Sequence, residues 1–192
     1  MATNPSLFAK NPQTDFTRDR KLSFDKLVHL LLGMRGNSIN KELYDYFKDD
    51  ELITSSAFVQ QRDKLLPEAM EYLLHEFNAQ CNDTKTYEGY RLYAVDGTDV
   101  NIAKNPDTDS CVENGQNEGY NQFHMNALYD LLNKTYVDAI IQPRPKMCEI
   151  KAAIDMIKRN SLSDKTILIA DRGYGSVNYP SPKGNGLVTA QS

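Results

Sequence analysis

Two stretches of this chain share one design, an apolar strand-forming run that ends on an aspartate. Arg91-Leu-Tyr-Ala-Val-Asp96 leads into Gly97, Thr98 and Asp99, and Thr166-Ile-Leu-Ile-Ala-Asp171 leads into Arg172, Gly173 and Tyr174. Each run predicts a buried strand that presents one carboxylate at its end. The segments between them set how those ends can meet. Strand character recurs over roughly residues 121–132 and 135–142, joined at Asn133-Lys134 as a hairpin. Pro143 and Pro145 then interrupt it, and Glu149 to Asn160 carries Ile150, Ala153, Ile154 and Ile157 at helical spacing. The order is three strands in a meander, a crossover helix, and a strand parallel to the first. That topology brings Asp96 and Asp171 to one edge of the sheet.

Two carboxylates at close range need a cation or a shared proton, and a hard divalent cation such as magnesium is the usual solution. Either Asp alone also fits a turn cap that bonds nearby backbone N–H groups. Asp99 is an alternative to Asp96 within Asp-Gly-Thr-Asp, and Asp130 at the end of the second strand is another candidate neighbour. Arg172 is placed to touch a substrate phosphate or to form a surface salt bridge.

Upstream of residue 88 the pattern is helical. Residues 1–21 predict an extended arm anchored by Leu7, Phe8 and Phe16. Ser23 caps a helix with Phe24, Leu27, Val28, Leu31 and Leu32 on its apolar side, ended by Gly33 and Gly36. Asn37 or Ser38 caps a second helix, and Asp49-Asp-Glu51 reads as a solvated turn. Thr54-Ser-Ser56 caps a third helix that runs to about Leu66 before Pro67. Phe58, Val59, Leu65 and Leu66 form its apolar stripe, with Arg62 near the middle and Ser56, Gln60, Asp63 and Lys64 opposite. A helix, a turn and a helix that opens with Ser, Gln and Arg resemble a helix-turn-helix, which makes Ser56, Gln60 and Lys64 candidate DNA contacts. A fourth helix runs from Glu68 to about Gln80. The expected division is an arm (1–21), a helical DNA-binding domain (22–88), a sheet domain (89–178) and a disordered tail (179–192), with Asn105 to Asn117 as a loop. The fold class is α/β, or α+β overall.

The formal net charge of −4 argues against a broad basic surface, so any nucleic-acid contact must rest on local arrangement. Three widely spaced cysteines suggest neither a disulfide framework nor a zinc site, and fit a reducing cytoplasm. No apolar run approaches the roughly 20 residues of a membrane span.

Val95-Asp-Gly-Thr98 and Asp171-Arg-Gly-Tyr174 resemble the first and second acidic motifs of insertion-sequence-four-type DDE transposases. Gly119-Tyr-Asn-Gln-Phe-His-Met-Asn-Ala-Leu-Tyr-Asp130 resembles that family's second-strand region, and Ser56-Ala-Phe-Val-Gln-Gln-Arg62 the helical region before its catalytic domain. The resemblance implies an RNase H-like catalytic domain, preceded here by a helical bundle. It implies magnesium or manganese held by two Asp and one Glu, with Asp96 and Asp171 as two of the three ligands and Gly173 and Tyr174 in the second motif. It also implies transposon-end duplex DNA as partner, a homodimer or a full-length transposase as a further partner, and a nucleoid-associated location. The family's third motif, Tyr-x-x-Arg-x-x-x-Glu-x-x-x-x-x-x-Lys, has no counterpart, since no Asp or Glu follows Asp171. Glu149 precedes the second Asp and is a poor stand-in. The expectation is a truncated transposase with strand cleavage lost. Its rival is a non-catalytic fragment that binds DNA or dimerises and so inhibits the full-length enzyme. A haloacid-dehalogenase-type phosphatase needs an Asp two residues before Asp96, where Ala94 stands.

Overall fold

A computed structural model of the chain describes residues 4–48, 52–81, 85–115, 117–162, 165–171 and 174. Two compact units are present, residues 1–73 and 74–192. The division falls inside the fourth helix, α4 (Glu68–Gln80).

The first unit is helical. Ser23, Ser38 and Thr54 cap α1 (Phe24–Gly33), α2 (Ile39–Phe47) and α3 (Ser55–Arg62), each side chain accepting an N–H three residues on. Leu27, Leu30, Leu43, Phe58 and Ala69 fill the core. Leu30 faces inward while Leu32 is exposed, so the buried stripe of α1 is narrower than expected. Glu42 is buried and accepts the N–H groups of Arg35 and Asn37 at 2.9 and 2.8 Å, which hold its carboxyl below the usual range and tie the α1–α2 loop. The N-terminal segment is better ordered than an extended arm. Pro5–Phe8 forms a 3-10 turn, Phe8 is buried, and Phe16 packs on the same core, whereas Leu7 is exposed.

That segment also explains why α3 stops at Arg62 rather than near Leu66. Lys10 N donates to Lys64 O and Leu66 N to Phe8 O, both at 2.9 Å, and Ala9 bridges Leu65. These bonds draw residues 64–66 out of the helix. Shortening the helix changes its faces. Gln61 is buried, while Arg62 is exposed beside Asp63, not set in an apolar stripe.

The second unit is a five-stranded mixed sheet. The central strands are β1 (Arg91–Ile102) and β3 (Asn117–Asp130), antiparallel from Tyr93↔Asp130 to Ile102↔Asn121. β4 (Thr135–Pro143) extends the meander beyond β3, and α5 (Glu149–Arg159) crosses over to β5 (Thr166–Ala170), which runs parallel to β1. The expected loop over 105–117 contains a short strand, β2 (Cys111–Asn114), paired with the start of β3. Its polar composition hid it from any periodicity.

α5 buries Ala152, Ala153, Met156 and Ile157. Ala153, Met156 and Ile157 pack with Tyr93, Val95, Leu128, Leu168 and Ala170. An ion pair pins the same helix. Arg159 reaches the fully buried Asp138 of β4, its Nε 2.9 Å from Oδ2, and Asn160 adds a further bond to the same oxygen. Among the described residues no helix is long and apolar enough to cross a membrane.

Candidate functional site

Register fixes the site. β1 and β5 pair in parallel from Arg91↔Thr166 to Val95↔Ala170, so the next residue on each strand is Asp96 and Asp171. Strand side chains alternate between faces. Tyr93 and Val95 of β1 and Leu168 and Ala170 of β5 share the core with α5. Ala94, Asp96 and Thr98 therefore belong to the opposite face, and the same alternation puts Asp171 there with Ile169. Two carboxylates consequently stand on one face, just past the end of the parallel pairing between strands that lie about 4.8 Å apart. Both residues are exposed.

β1 does not end at Asp96 as expected. It continues to Ile102 because β3 goes on pairing with it after β5 stops. Asp96 therefore marks the end of the parallel pairing, in the middle of its own strand. Its Oδ1 accepts the N–H of Gly97 at 2.8 Å. Beside it, a cavity of about 400 Å³ is lined by Ala94, Thr98, Met125, Ala127, Tyr129 and Tyr136 along with Asp96 and Gly97.

Asp99 lies three residues on and so faces the other side of the sheet. There the His124 Nδ1 sits 2.6 Å from Asp99 Oδ1, and the Arg144 Nε donates to Oδ2 at 3.1 Å. The hydrogen bond from His124, aided by the Arg144 charge, lowers the Asp99 pKa below its ordinary value. The buried His124 Nε2 is 3.1 Å from Glu149 Oε1, without the alignment of a hydrogen bond. Glu149 thus lies beside the His124 ring at the start of α5, on the face away from Asp96. Asp99 is hydrogen-bonded on that same face, which leaves Asp96 as the carboxylate in register with Asp171.

Asp130 is not a neighbour of the pair. β3 is antiparallel, so its carboxyl end is at the far edge, opposite Tyr93. There Asp130 caps the hairpin turn, accepting the N–H groups of Leu132 and Asn133 at 3.1 and 2.9 Å.

Tyr174 is buried in the α5 core, and its hydroxyl donates to Asn126 Oδ1 at 3.2 Å. Asn126 in turn reaches Gln142 Oε1 at 3.4 Å, and that oxygen accepts Cys148 N at 3.1 Å. Arg172 and Gly173 lie outside the described residues. In the helical unit Ser56 and Gln60 are exposed and Lys64 is half-buried, its Nζ donating to Gln61 Oε1 at 3.2 Å.

His124, Asn126 and Arg144 were missed by reasoning from sequence. One signal was available, because His124 and Asn126 occupy the same alternate positions as Leu128 and so must face the core.

Among the described residues no group of three His, Cys, Asp or Glu is placed to hold a metal ion. The donor set of two exposed carboxylates fits magnesium in part. That ion commonly takes one or two carboxylates and completes its octahedron with water and phosphate oxygens.

Fold and site together define an α/β domain with a paired-carboxylate edge. Residues 87–181, which span β1 to β5 and include both Asp96 and Asp171, match the family described as the transposase DDE domain. The match supports a DDE transposase, a family that generally uses divalent metals. No curated protein and no solved structure matches the chain.

Proposed function

We propose that this chain is a DNA transposase of the insertion-sequence-four type, with an RNase H-like catalytic domain and a helical DNA-binding unit. In this reading it acts on transposon-end duplex DNA in the nucleoid, alone as a dimer or with a full-length transposase. The observation that carries the reading is the register of β1 and β5, which sets Asp96 beside Asp171 within the matched region.

Asp96 and Asp171 would hold magnesium or manganese. When bound, such an ion polarises the scissile phosphate and favours formation of the attacking oxygen nucleophile. One carboxylate would come from the interior of β1 and the other from the residue that directly follows β5. The cavity beside Asp96 leaves room for a sugar–phosphate segment on the same face. Arg172 would contact a phosphate oxygen, and Ser56, Gln60 and Lys64 would meet the duplex. The resemblance calls for a third acid, a Glu, to complete the ligand set with Asp96 and Asp171. Two carboxylates without that Glu hold the ion loosely, so these 192 residues by themselves should bind DNA with little cleavage.

Labelled end duplex incubated with the purified chain and manganese tests this. The expected result is a retarded complex with negligible nicking. Failure to retard any duplex would refute the DNA reading. Robust nicking that persists in Asp96→Asn would refute the site.

A further inference from the structure

Within the helical unit, a cavity of about 240 Å³ lies among the N-terminal segment, the start of α1 and the end of α3. Three cations line it, Arg18, Arg20 and Lys64, together with Thr14 and with Thr17, whose hydroxyl donates to Thr14 O at 3.0 Å. No Asp or Glu is among the lining residues. Asp15, three residues before Arg18, accepts bonds from Asn11 N and Nδ2 at 3.0 and 3.2 Å. Asp63 pairs with Arg62, and Asp19 lies outside the lining.

Charge is therefore left uncompensated here. Among the described residues Arg18 and Arg20 make no ion pair and no hydrogen bond. Lys64 has only the neutral amide oxygen of Gln61. In a chain of net charge −4, a concave site with three cations and no acid is a local exception. Ser23, the N-cap of α1, sits on the rim, so the positive end of that helix adds to the same potential. Guanidinium forks match the oxygens of a phosphate.

We propose that this cavity is a phosphate-binding site that takes a backbone phosphate of nucleic acid. The choice of nucleic acid over free phosphate rests on the transposase reading; the anion site itself does not. Its position at the end of α3 places it beside Lys64, so one strand phosphate held there would set the register of the exposed side of α3 on the duplex.

The test uses the full chain and two double variants, Arg18→Gln/Arg20→Gln and the control Arg35→Gln/Lys41→Gln, which removes equal charge outside the cavity. Duplex affinity is measured from about 50 to 200 mM salt, where each lost phosphate contact lowers the slope of log K against log salt by about 0.9. Thermal shift with inorganic phosphate is the second arm. The proposal expects the cavity variant to lose roughly one to two units of slope, and the control to lose less. Equal slopes in the two variants overturn the proposal while the transposase reading stands. Suppose instead that the wild type ignores duplex but is stabilised by phosphate, and that the cavity variant loses this stabilisation. The anion site is then supported, and the nucleic-acid source and the transposase reading both fall. No response to either probe overturns the site outright.

Discussion

Replacing Gly97 by alanine puts a methyl group where the His124 ring now lies. A Cβ at this position would stand 2.5 Å from His124 Nε2, 2.9 Å from Cε1 and 3.2 Å from Glu149 Oε1. The backbone itself permits alanine, since Gly97 is an extended strand residue without positive φ. In open space the substitution would therefore stabilise the sheet by about 0.4–1 kcal/mol, through reduced freedom of the unfolded chain. The neighbours reverse that sign. His124 is buried, and its Nδ1 is held at 2.6 Å by Asp99, so the ring cannot swing aside freely. If it stays, overpacking costs roughly 1–3 kcal/mol. If it leaves, a charge-assisted hydrogen bond worth about 1.5–3 kcal/mol is lost. The molecule takes the cheaper route, and once the 0.4–1 kcal/mol gain is subtracted the net loss is about 1–2 kcal/mol. Urea unfolding followed by circular dichroism reads this directly, and a melting temperature lowered by roughly 2–8 °C accompanies it. In Gly97→Ala/His124→Ala the clash is gone, so the added cost of the alanine at 97 should vanish. Gly97→Ala equal to or more stable than wild type would refute the packing argument.

Further expectations follow from the same sheet. Arg159→Ala strands the buried Asp138 carboxylate and should cost about 3–5 kcal/mol in urea unfolding; a loss below about 1 kcal/mol would show that Asn160 and the Ala139 N–H suffice for that charge. Tyr174→Phe leaves buried Asn126 Oδ1 without its donor and should cost about 1–3 kcal/mol, read by the same assay, whereas no change would mean that the hydroxyl bond is not formed. The Asp99 carboxyl titrates below its ordinary value because His124 and Arg144 favour its charged form. A group depressed in this way contributes stability above its unfolded pKa, about 3.9, and loses it as pH falls through the lower folded value. Melting temperatures should therefore favour wild type over Asp99→Asn above about pH 5, with the gap closing below about pH 4; a gap that widens in acid would contradict the assignment.

Much of the sheet domain was legible because its strands carry their own signals. Two apolar runs separated by a hairpin and an amphipathic helix leave one reasonable crossover, and β5 lies parallel to β1 as that crossover requires. The helix caps Ser23, Ser38 and Thr54 were equally readable, since each precedes a periodic run. What escaped depends on partners distant in sequence. The extension of β1 past Asp96 is set by β3, and β2 forms only because the start of β3 offers an edge. The early end of α3 comes from backbone bonds to residues 8–10, more than fifty positions away. At the acidic edge the sequence nominated Asp96 and Asp171 and left Asp99 open as an alternative. Strand alternation separates them, because an odd spacing of three residues puts Asp96 and Asp99 on opposite faces. The engagement of Asp99 by His124 and Arg144 required the third dimension.

The most direct measurement is a manganese titration of the full chain, followed by water-proton relaxation, in wild type, Asp96→Asn, Asp171→Asn and Asp99→Asn. A shared site between neighbouring strands predicts that the ion is bound weakly by wild type, lost by the Asp96 and Asp171 variants, and retained by Asp99→Asn. Binding that survives loss of Asp96, or disappears only with Asp99, would contradict it.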